Sequence, residues 1–251
     1  MRVHSIRYAI HLLTVVVMAT LSLAKVDLKH HEAQSAFNNH ADAVAVSSDI
    51  REHWMREAIQ ALYTLTSPCP FAAFGTVIVN HTSGSSLGDL VCIGANDAHS
   101  TGNPTLHGEI AGINNCTQVL TDPEGQYRLS PSEGLEAYKD LTLYTTAEPC
   151  PMCASAIRWA GFKECVFATS IPTLMEQGWH QISMLSQELF EHSLTLGTRT
   201  SLLGGVLSNA TDPLFAWQFN PNGACPAGCE RDGSENACVP IQEASPHSQE
   251  L

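Results

Sequence analysis

The chain has 251 residues, of which 44% are hydrophobic, so it can bury one full core but hardly two large domains. Only 15% of the residues are charged, and the formal net charge is −13. Such an acidic surface repels phosphate backbones, and the sequence contains no cluster of Lys and Arg, so nucleic-acid substrates are disfavoured.

The N-terminus has the pattern of a secretory signal peptide at residues 1–24. Two arginines precede an apolar run from Tyr8 to Leu23, and Ser22 and Ala24 are the small residues expected before a cleavage site. A membrane anchor is the alternative, but the run is short for a membrane span. The sequence therefore predicts a secreted, extracellular protein that keeps no membrane segment after cleavage.

Three glycosylation sequons support the prediction of secretion, at Asn80, Asn115 and Asn209. Asn115 is the doubtful one, because it falls within a predicted helix and stands beside Cys116. The sequence therefore predicts a glycoprotein with a glycan on at least one of the three asparagines.

Residues 25–48 are polar and His-rich and are expected to form a flexible leader, whose histidines are solvated rather than metal ligands. Strand and helix patterns then alternate along residues 49–222, interrupted by a Pro/Gly/Ser-rich insertion at about 121–138. This alternation predicts a three-layer helix–sheet–helix sandwich of the α/β class. The expected helices are Asp49–Thr66, His107–Leu120, Cys150–Gly161, Ile182–His192 and Pro213–Phe219, and the expected strands are 74–80, 89–95, Asp140–Ala147, Glu164–Thr169 and Arg199–Gly204.

The most informative residues are His107, Glu109, Cys150 and Cys153. One imidazole and two thiolates are three soft ligands that suit tetrahedral zinc with a fourth position open to water. An open position is typical of catalytic zinc, which lowers the pKa of a bound water to about 7. Glu109 lies two residues from the histidine and can move protons, so the four residues predict a hydrolytic zinc site.

The local sequence favours this geometry. A β-rich segment leads into Pro149, and Cys150 and Cys153 then occupy one face at the N-terminus of a helix, where the dipole favours thiolate. Asn103-Pro104-Thr105 is a plausible cap for the helix that begins at His107. A disulfide pair or a structural zinc half-site is the alternative interpretation of Cys-x-x-Cys, but a structural zinc needs a fourth protein ligand, and neither motif offers one.

Residues 223–251 form a Gly/Pro/Asp-rich, Cys-rich tail without a helical or strand period. Nine cysteines minus the two zinc candidates leave an odd number, and three of these seven, Cys225, Cys229 and Cys238, lie in the tail. In an oxidising compartment such a tail needs disulfides to be ordered, although their connectivity cannot be deduced from sequence. A second zinc site in the tail is the alternative, which the lack of a nearby histidine disfavours.

The two motifs resemble the cytidine-deaminase-like zinc deaminases of the CMP/dCMP type, whose signature is His-x-Glu followed by Pro-Cys-x-x-Cys. Gly75–Val79 and Leu90–Asn96 look like the first two strands of that family, and the likeness covers about residues 50–220. Leu143–Ala160 is similar to guanine deaminases and tRNA adenosine deaminases, while Thr105–Ile110 and Leu143–Thr146 also look like fungal cytosine deaminase.

This resemblance implies a five-stranded mixed sheet, a homodimer and one Zn²⁺ held by His107, Cys150 and Cys153. It implies that zinc-bound hydroxide attacks the amino-bearing ring carbon while Glu109 shuttles protons to the ring nitrogen and the leaving ammonia. It also implies that Asn96 hydrogen-bonds the base. The expected partner is therefore a small-molecule nucleobase or nucleoside.

The identity of the base depends on Trp159 and Gln181. Trp159 falls where guanine deaminases carry an aromatic residue that lines the base pocket, although an ordinary packing role is the alternative. Gln181 departs from the family, because guanine deaminases have an aspartate there, and an amide can hydrogen-bond a base but cannot shuttle a proton. The sequence favours a guanine-type deaminase slightly over a cytosine-type one. The alternatives are a non-catalytic, zinc-stabilised binding protein and an adenosine deaminase that acts on RNA.

Overall fold

The computed structural model describes residues 46–233 and 237–241. The predicted signal peptide at 1–24 and nearly all of the predicted leader at 25–48 therefore lie outside the described residues. The first helix, α1, spans Ser48–Leu65, and the side chain of Ser47 caps it by accepting a hydrogen bond from the backbone N–H of Ile50. In the part of the chain that the structure describes, no helix combines the length and apolarity needed to cross a membrane.

Five strands form one mixed sheet, as expected from the family resemblance: β1 Gly75–Asn80, β2 Asp89–Ala95, β3 Leu141–Ala147, β4 Glu164–Thr169 and β5 Ser201–Leu203. Their order in the sheet is β2-β1-β3-β4-β5. Strand β1 is antiparallel to both of its neighbours, whereas β3, β4 and β5 run parallel to one another.

The helices cover both faces of this sheet, which confirms the predicted three-layer sandwich. Along β1, Val77 and Val79 pack in one core with residues of α1, while Ile78 between them packs on the other face with residues of α3 (Gly108–Thr121) and α5 (Pro151–Ala160). This is the alternation that the strand pleat imposes. The helices after α1 are α2 Ala98–Thr101, α3 Gly108–Thr121, α4 Pro131–Ala137, α5 Pro151–Ala160, α6 Ile171–Glu176, α7 Ser186–His192 and α8 Ser208–Phe215.

The structure differs from the sequence-based expectation in the short elements. The insertion at 121–138 contains α4, which begins with a capping box formed by Ser130 and Glu133. The last helix, α8, begins after Leu207, which has a positive φ of 57°, so the prediction that Pro213 starts this helix is wrong. α7 is shorter than expected, because the chain before Ser186 is loop, and α2 and α6 were not predicted.

The tail is built on disulfides, as predicted. Cys225 is joined to Cys238, and Cys229 is joined to Cys69, which lies between α1 and β1. A short hairpin of β6 Cys229–Arg231 and β7 Cys238–Pro240 gives the tail a strand pairing that its sequence does not predict. All three tail cysteines are therefore in disulfides, and the described part of the tail contains no group of residues arranged to hold a second zinc. A third disulfide, Cys92–Cys116, connects β2 to α3 inside the core.

Candidate metal centre

His107 and Glu109 lie at the N-terminal end of α3. His107 is the N-cap residue of the helix and has extended backbone angles, and Glu109 lies in the first turn. The predicted cap at Asn103–Thr105 is instead a separate turn, in which the Asn103 side chain accepts a hydrogen bond from the Thr105 N–H. The end of α3 lies close to the chain that enters β1, because a Cβ on Gly108 would be 2.3 Å from the backbone oxygen of Phe74.

Cys150 and Cys153 lie at the N-terminus of α5, directly after β3. Cys150 is the N-cap, the helix starts with Pro151, and it ends at Gly161, which has a φ of 80°. Proline is favoured in the first turn because the missing N–H would have no helical partner there, and glycine is favoured at a left-handed helix end. The local sequence therefore places both thiols at one helix end, beside the entry of α3.

The ligand atoms have the spacing of a tetrahedral zinc site. The Nδ1 atom of His107 lies 3.6 Å from Sγ of Cys150 and 3.6 Å from Sγ of Cys153. Tetrahedral zinc, with bonds of about 2.3 Å to sulfur and about 2.0–2.1 Å to nitrogen, places S and N about 3.6 Å apart. The three side chains therefore fit the ion without rearrangement.

Within the described residues, these three side chains are the only group of His, Cys, Asp and Glu arranged to hold a metal. A fourth protein ligand is thus absent from this part of the chain, which leaves one tetrahedral position open. His107 and Cys150 are half-buried and Cys153 is buried. This arrangement is typical of catalytic rather than structural zinc.

The electrostatics of the pair of cysteines favour a bound cation. A hydrogen bond from the Cys153 thiol lowers the pKa of Cys150 to about 4, and the neighbouring His107 acts in the same direction. The same hydrogen bond, together with burial, raises the pKa of Cys153. Zinc binding would require both thiols to lose their protons, since the ligands of zinc must be deprotonated.

Glu109 is 3% exposed and lies beside the three ligands. Burial raises the pKa of its carboxyl to about 7, with a smaller contribution from the negative charge of Cys150. A carboxyl group with such a pKa can both accept and return a proton near neutral pH. Its position beside the ligands, but outside the group that can bind the metal, suits a proton carrier.

Glu148 is a buried residue at the site that the sequence analysis missed. Its two carboxylate oxygens accept hydrogen bonds from the backbone N–H groups of Ile171, at 2.9 Å, and Ser186, at 2.8 Å. The Ser186 hydroxyl also donates to the backbone oxygen of Pro149, the residue before Cys150. Glu148 therefore connects the first residues of α6 and α7 to the segment that carries a metal ligand. The only sequence signal for this role of Glu148 is its position directly before Pro149 and Cys150.

Replacing Glu148 by Ala is expected to destabilise the protein by about 2–5 kcal/mol, because it leaves two buried N–H groups without acceptors. Glu148→Gln is expected to cost less, since the amide keeps one acceptor. Urea unfolding measures both effects, and Glu188→Gln, an exposed acid on α7, is the matched control. A Glu148→Ala variant as stable as this control would contradict the structural role.

The predicted substrate residues lie in three different environments. Asn96 is half-buried directly after β2, and its backbone N–H donates to the backbone oxygen of Phe74 at 2.9 Å. Gln181 is half-buried in the loop between α6 and α7. Trp159 is 75% exposed on α5, so its side chain is not buried in the core of the chain.

The comparisons with known proteins agree with this site. The family model described as the cytidine and deoxycytidylate deaminase zinc-binding region matches residues 48–169. These residues contain both zinc motifs, Asn96 and all of the sheet except β5.

Among curated proteins, a guanine deaminase of Bacillus subtilis is 34% identical over 106 residues, which are 42% of this chain and 56% of that protein. A probable cytosine deaminase of Schizosaccharomyces pombe is 29% identical over 103 residues, which cover 41% of this chain and 51% of that protein. A tRNA-specific adenosine deaminase of Haemophilus influenzae is 31% identical over 129 residues, or 51% of this chain and 64% of that protein. The chain thus spans about half to two thirds of the length of these relatives.

Among solved structures, a guanine deaminase from Nitrosomonas europaea is similar with a TM-score of 0.49 and 17% identity, over 70% of this chain and 87% of that one. The assignment of the family depends instead on the match at residues 48–169 and on the geometry of the motifs within them. Residues 48–169 of the chain therefore match the zinc-binding region of the cytidine-deaminase-like zinc deaminase superfamily.

Proposed function

We propose that this protein is a zinc-dependent hydrolytic deaminase of a small nucleobase or nucleoside. The observation that carries the proposal is the tetrahedral spacing of His107, Cys150 and Cys153 with the buried Glu109 beside them. When bound, zinc supplies a Lewis acid and makes water a nucleophile near neutral pH.

The residues of the chain have separate roles in this proposal. His107, Cys150 and Cys153 would hold the ion. Glu109 takes one proton from the attacking water and delivers it to the ring nitrogen. It then carries the remaining hydroxyl proton to the amino group, which leaves as ammonia while the ring carbon becomes a carbonyl. Asn96, at the end of β2, supplies a hydrogen bond that orients the base.

Small substrates are favoured over nucleic acids because the net charge of −13 opposes a phosphate backbone. The relatives named as guanine and cytosine deaminases support a free base, and the guanine-type reaction is proposed ahead of the cytosine-type one. The relative named as a tRNA-specific adenosine deaminase supports the second candidate, an RNA adenosine deaminase. A non-catalytic binding protein is disfavoured because it has no use for a buried carboxyl beside the metal ligands.

A substrate panel tests the proposal. Purified protein is incubated with guanine, cytosine, adenine and their nucleosides, and with a tRNA, and ammonia release is measured. Turnover of a free base or a nucleoside, and its loss in Glu109→Gln, is the expected result. Turnover of tRNA alone would favour the second candidate, and release from none of them would support the non-catalytic alternative.

Restoring an acid at position 181 is expected to increase guanine deamination, because Gln181 cannot carry a proton. The gain expected from Gln181→Asp is about 10²-fold or more in kcat, the low end of general acid–base catalysis. Gln187→Asp, an exposed position on α7, is the control. Cytosine turnover alone, with no gain of guanine activity in Gln181→Asp, would show that the purine assignment is wrong.

We also propose that the protein is secreted after cleavage near Lys25 and carries glycans on Asn80 and Asn209 but not on Asn115. Asn209 is exposed, and the Asn80 side chain accepts hydrogen bonds from the N–H and hydroxyl of Thr82, so the sequon is in a surface turn. Asn115 is half-buried against β2, where its side chain accepts a hydrogen bond from the Ile93 N–H.

Peptide mass spectrometry of protein secreted by eukaryotic cells, with and without deglycosylation, measures the occupancy of all three asparagines. An unmodified Asn115 beside an occupied Asn80 or Asn209 is the expected pattern. Finding the intact Met1 on unglycosylated protein in the cytosol would contradict both secretion and glycosylation.

A second copy of the chain is the proposed partner for the exposed face of α5. Met152, Ser155, Ala156 and Trp159 form a stripe at helical spacing that is not buried within the chain, whereas the opposite side of the helix is in the core. A homodimer that buries this stripe is expected. Sedimentation equilibrium tests this proposal. The wild-type protein is expected to be a dimer and Trp159→Glu a monomer, and a monomeric wild-type protein would contradict the proposal.

A further inference from the structure

The loop between α1 and β1, residues 66–74, forms part of the wall of the metal centre. The backbone oxygen of Phe74 accepts a hydrogen bond from the N–H of Asn96, and it contacts the chain at Gly108, next to His107. The preceding Ala73 oxygen accepts a hydrogen bond from the Thr146 hydroxyl at 2.6 Å, near the end of the strand that leads to Cys150. A shift of this loop therefore moves groups that border the site on two sides.

The side chains of this loop pack on the segment that carries Gln181. The ring of Phe74 lies 5.3 Å from the ring of Trp179, and the ring of Phe71 lies 5.9 Å from it. Trp179 is held in turn by a hydrogen bond from its indole N–H to the Phe215 oxygen. Phe71 is 55% exposed, so burial of its ring restrains the outer part of this aromatic cluster only weakly.

A covalent bond from the tail supplies a further restraint on the 66–74 loop. Cys69 and Cys229 form a disulfide, and Cys69 packs with the fully buried Trp217 in a small core that contains cysteines of the tail. The guanidinium of Arg231 donates hydrogen bonds to backbone oxygens around this core, including that of Trp217, and it lies 5.6 Å from the Trp217 ring. The Gln218 amide donates to the backbone oxygen of Phe71 at 2.7 Å. The tail thus holds the 66–74 loop by a covalent bond, and Gln218, just before the tail, adds a polar link to the same loop.

We propose that the Cys69–Cys229 disulfide is a positioning device for the substrate site, in which the tail holds the 66–74 loop and Trp179 in the conformation that binds substrate. Cys229 lies outside residues 48–169, so the tail adds this device to the part of the chain that matches the family model. The part of this inference that concerns substrate binding rests on the proposed deaminase function. Without the cross-link, only a fraction of the molecules has the binding-competent loop, and the apparent affinity for substrate is the intrinsic affinity multiplied by that fraction.

The test compares two paired variants of the full chain. Cys69→Ser with Cys229→Ser removes the proposed device, whereas Cys225→Ser with Cys238→Ser removes the disulfide inside the tail and is the matched control. Hydrogen exchange of residues 71–74 and 177–181 reports loop positioning without any substrate. Zinc content and the KM and kcat for the base found by the substrate panel report the site.

In the first pair, we expect exchange in both segments to accelerate by about tenfold or more, one zinc to remain, and KM to rise by about tenfold while kcat changes less than about threefold. The control pair is expected to keep the wild-type exchange in residues 71–74. Phe71→Ala is a second variant that keeps every disulfide and removes an exposed ring, and it is expected to accelerate exchange around Trp179 and to raise KM as well.

Unchanged exchange in residues 71–74, or equal acceleration in both pairs, would overturn the positioning role. Faster exchange with an unchanged KM, or a loss of zinc, would overturn the link to substrate binding. If the first pair does not fold, a wild-type KM in Phe71→Ala overturns that link by itself. If the wild-type protein deaminates none of the bases, the proposed function fails, while the exchange result still decides whether the disulfide positions the loop.

Discussion

Glu109→Gln is expected to keep one zinc per chain and to lose deaminase activity by about 10²–10⁴-fold or more, the usual contribution of a general acid–base residue. The amide has nearly the shape of the buried carboxyl but cannot accept and return a proton. The three ligands are on other residues, so metal binding does not depend on the charge of Glu109. Metal analysis and initial rates on the same sample measure the two properties separately.

Glu124→Gln is the matched control for this change, since Glu124 is an exposed acid beyond the end of the same helix. It should keep both zinc and turnover. Near-normal activity in Glu109→Gln would remove the residue from the mechanism, and loss of zinc in that variant would assign it to the metal site instead.

Cys150→Ser is expected to lose both zinc and activity, because a hydroxyl does not replace a thiolate as a soft ligand. Loss of the ion also removes the stabilisation that binding supplies to the folded state, so the Tm of the variant should match that of the wild-type protein after chelation. The measurements are metal content and thermal unfolding with and without a chelator.

Cys165→Ser is the control, because Cys165 is the other free cysteine among the described residues and lies buried in β4, outside the group of metal ligands. This variant should keep its zinc and its sensitivity to chelation. A zinc-loaded, active Cys150→Ser protein would contradict the assignment of the ligands.

The two halves of the metal centre could be predicted from the sequence because each depends on local structure. The β-branched segment before Pro149 forms a strand, and the Cys-x-x-Cys that follows lies at the start of a helix. The positions of both thiols therefore depend on only a few residues. His107 occupies a comparable position, since it is the N-cap residue of α3. The individual strands were predictable for the same reason, since each has a local β-rich pattern, whereas their arrangement as one mixed sheet was implied by the family resemblance.

The rest of the site could not be predicted because it depends on contacts between distant parts of the chain. Glu148 accepts hydrogen bonds from residues 23 and 38 positions away. The Cys69–Cys229 disulfide spans 160 residues, and its pairing depends on how the tail folds back. The exposure of Trp159 was missed because a resemblance suggests the role of an aromatic residue but does not show which side of α5 faces the core.

The zinc coordination of the purified protein tests the central claim most directly. X-ray absorption at the zinc edge should show one zinc per chain with two sulfur ligands at about 2.3 Å and two nitrogen or oxygen ligands at about 2.0–2.1 Å, one of which is not supplied by the protein. Addition of the preferred base should change the nitrogen and oxygen shell and leave the two sulfurs in place. Four sulfur ligands, or a protein that binds no zinc, would contradict the account.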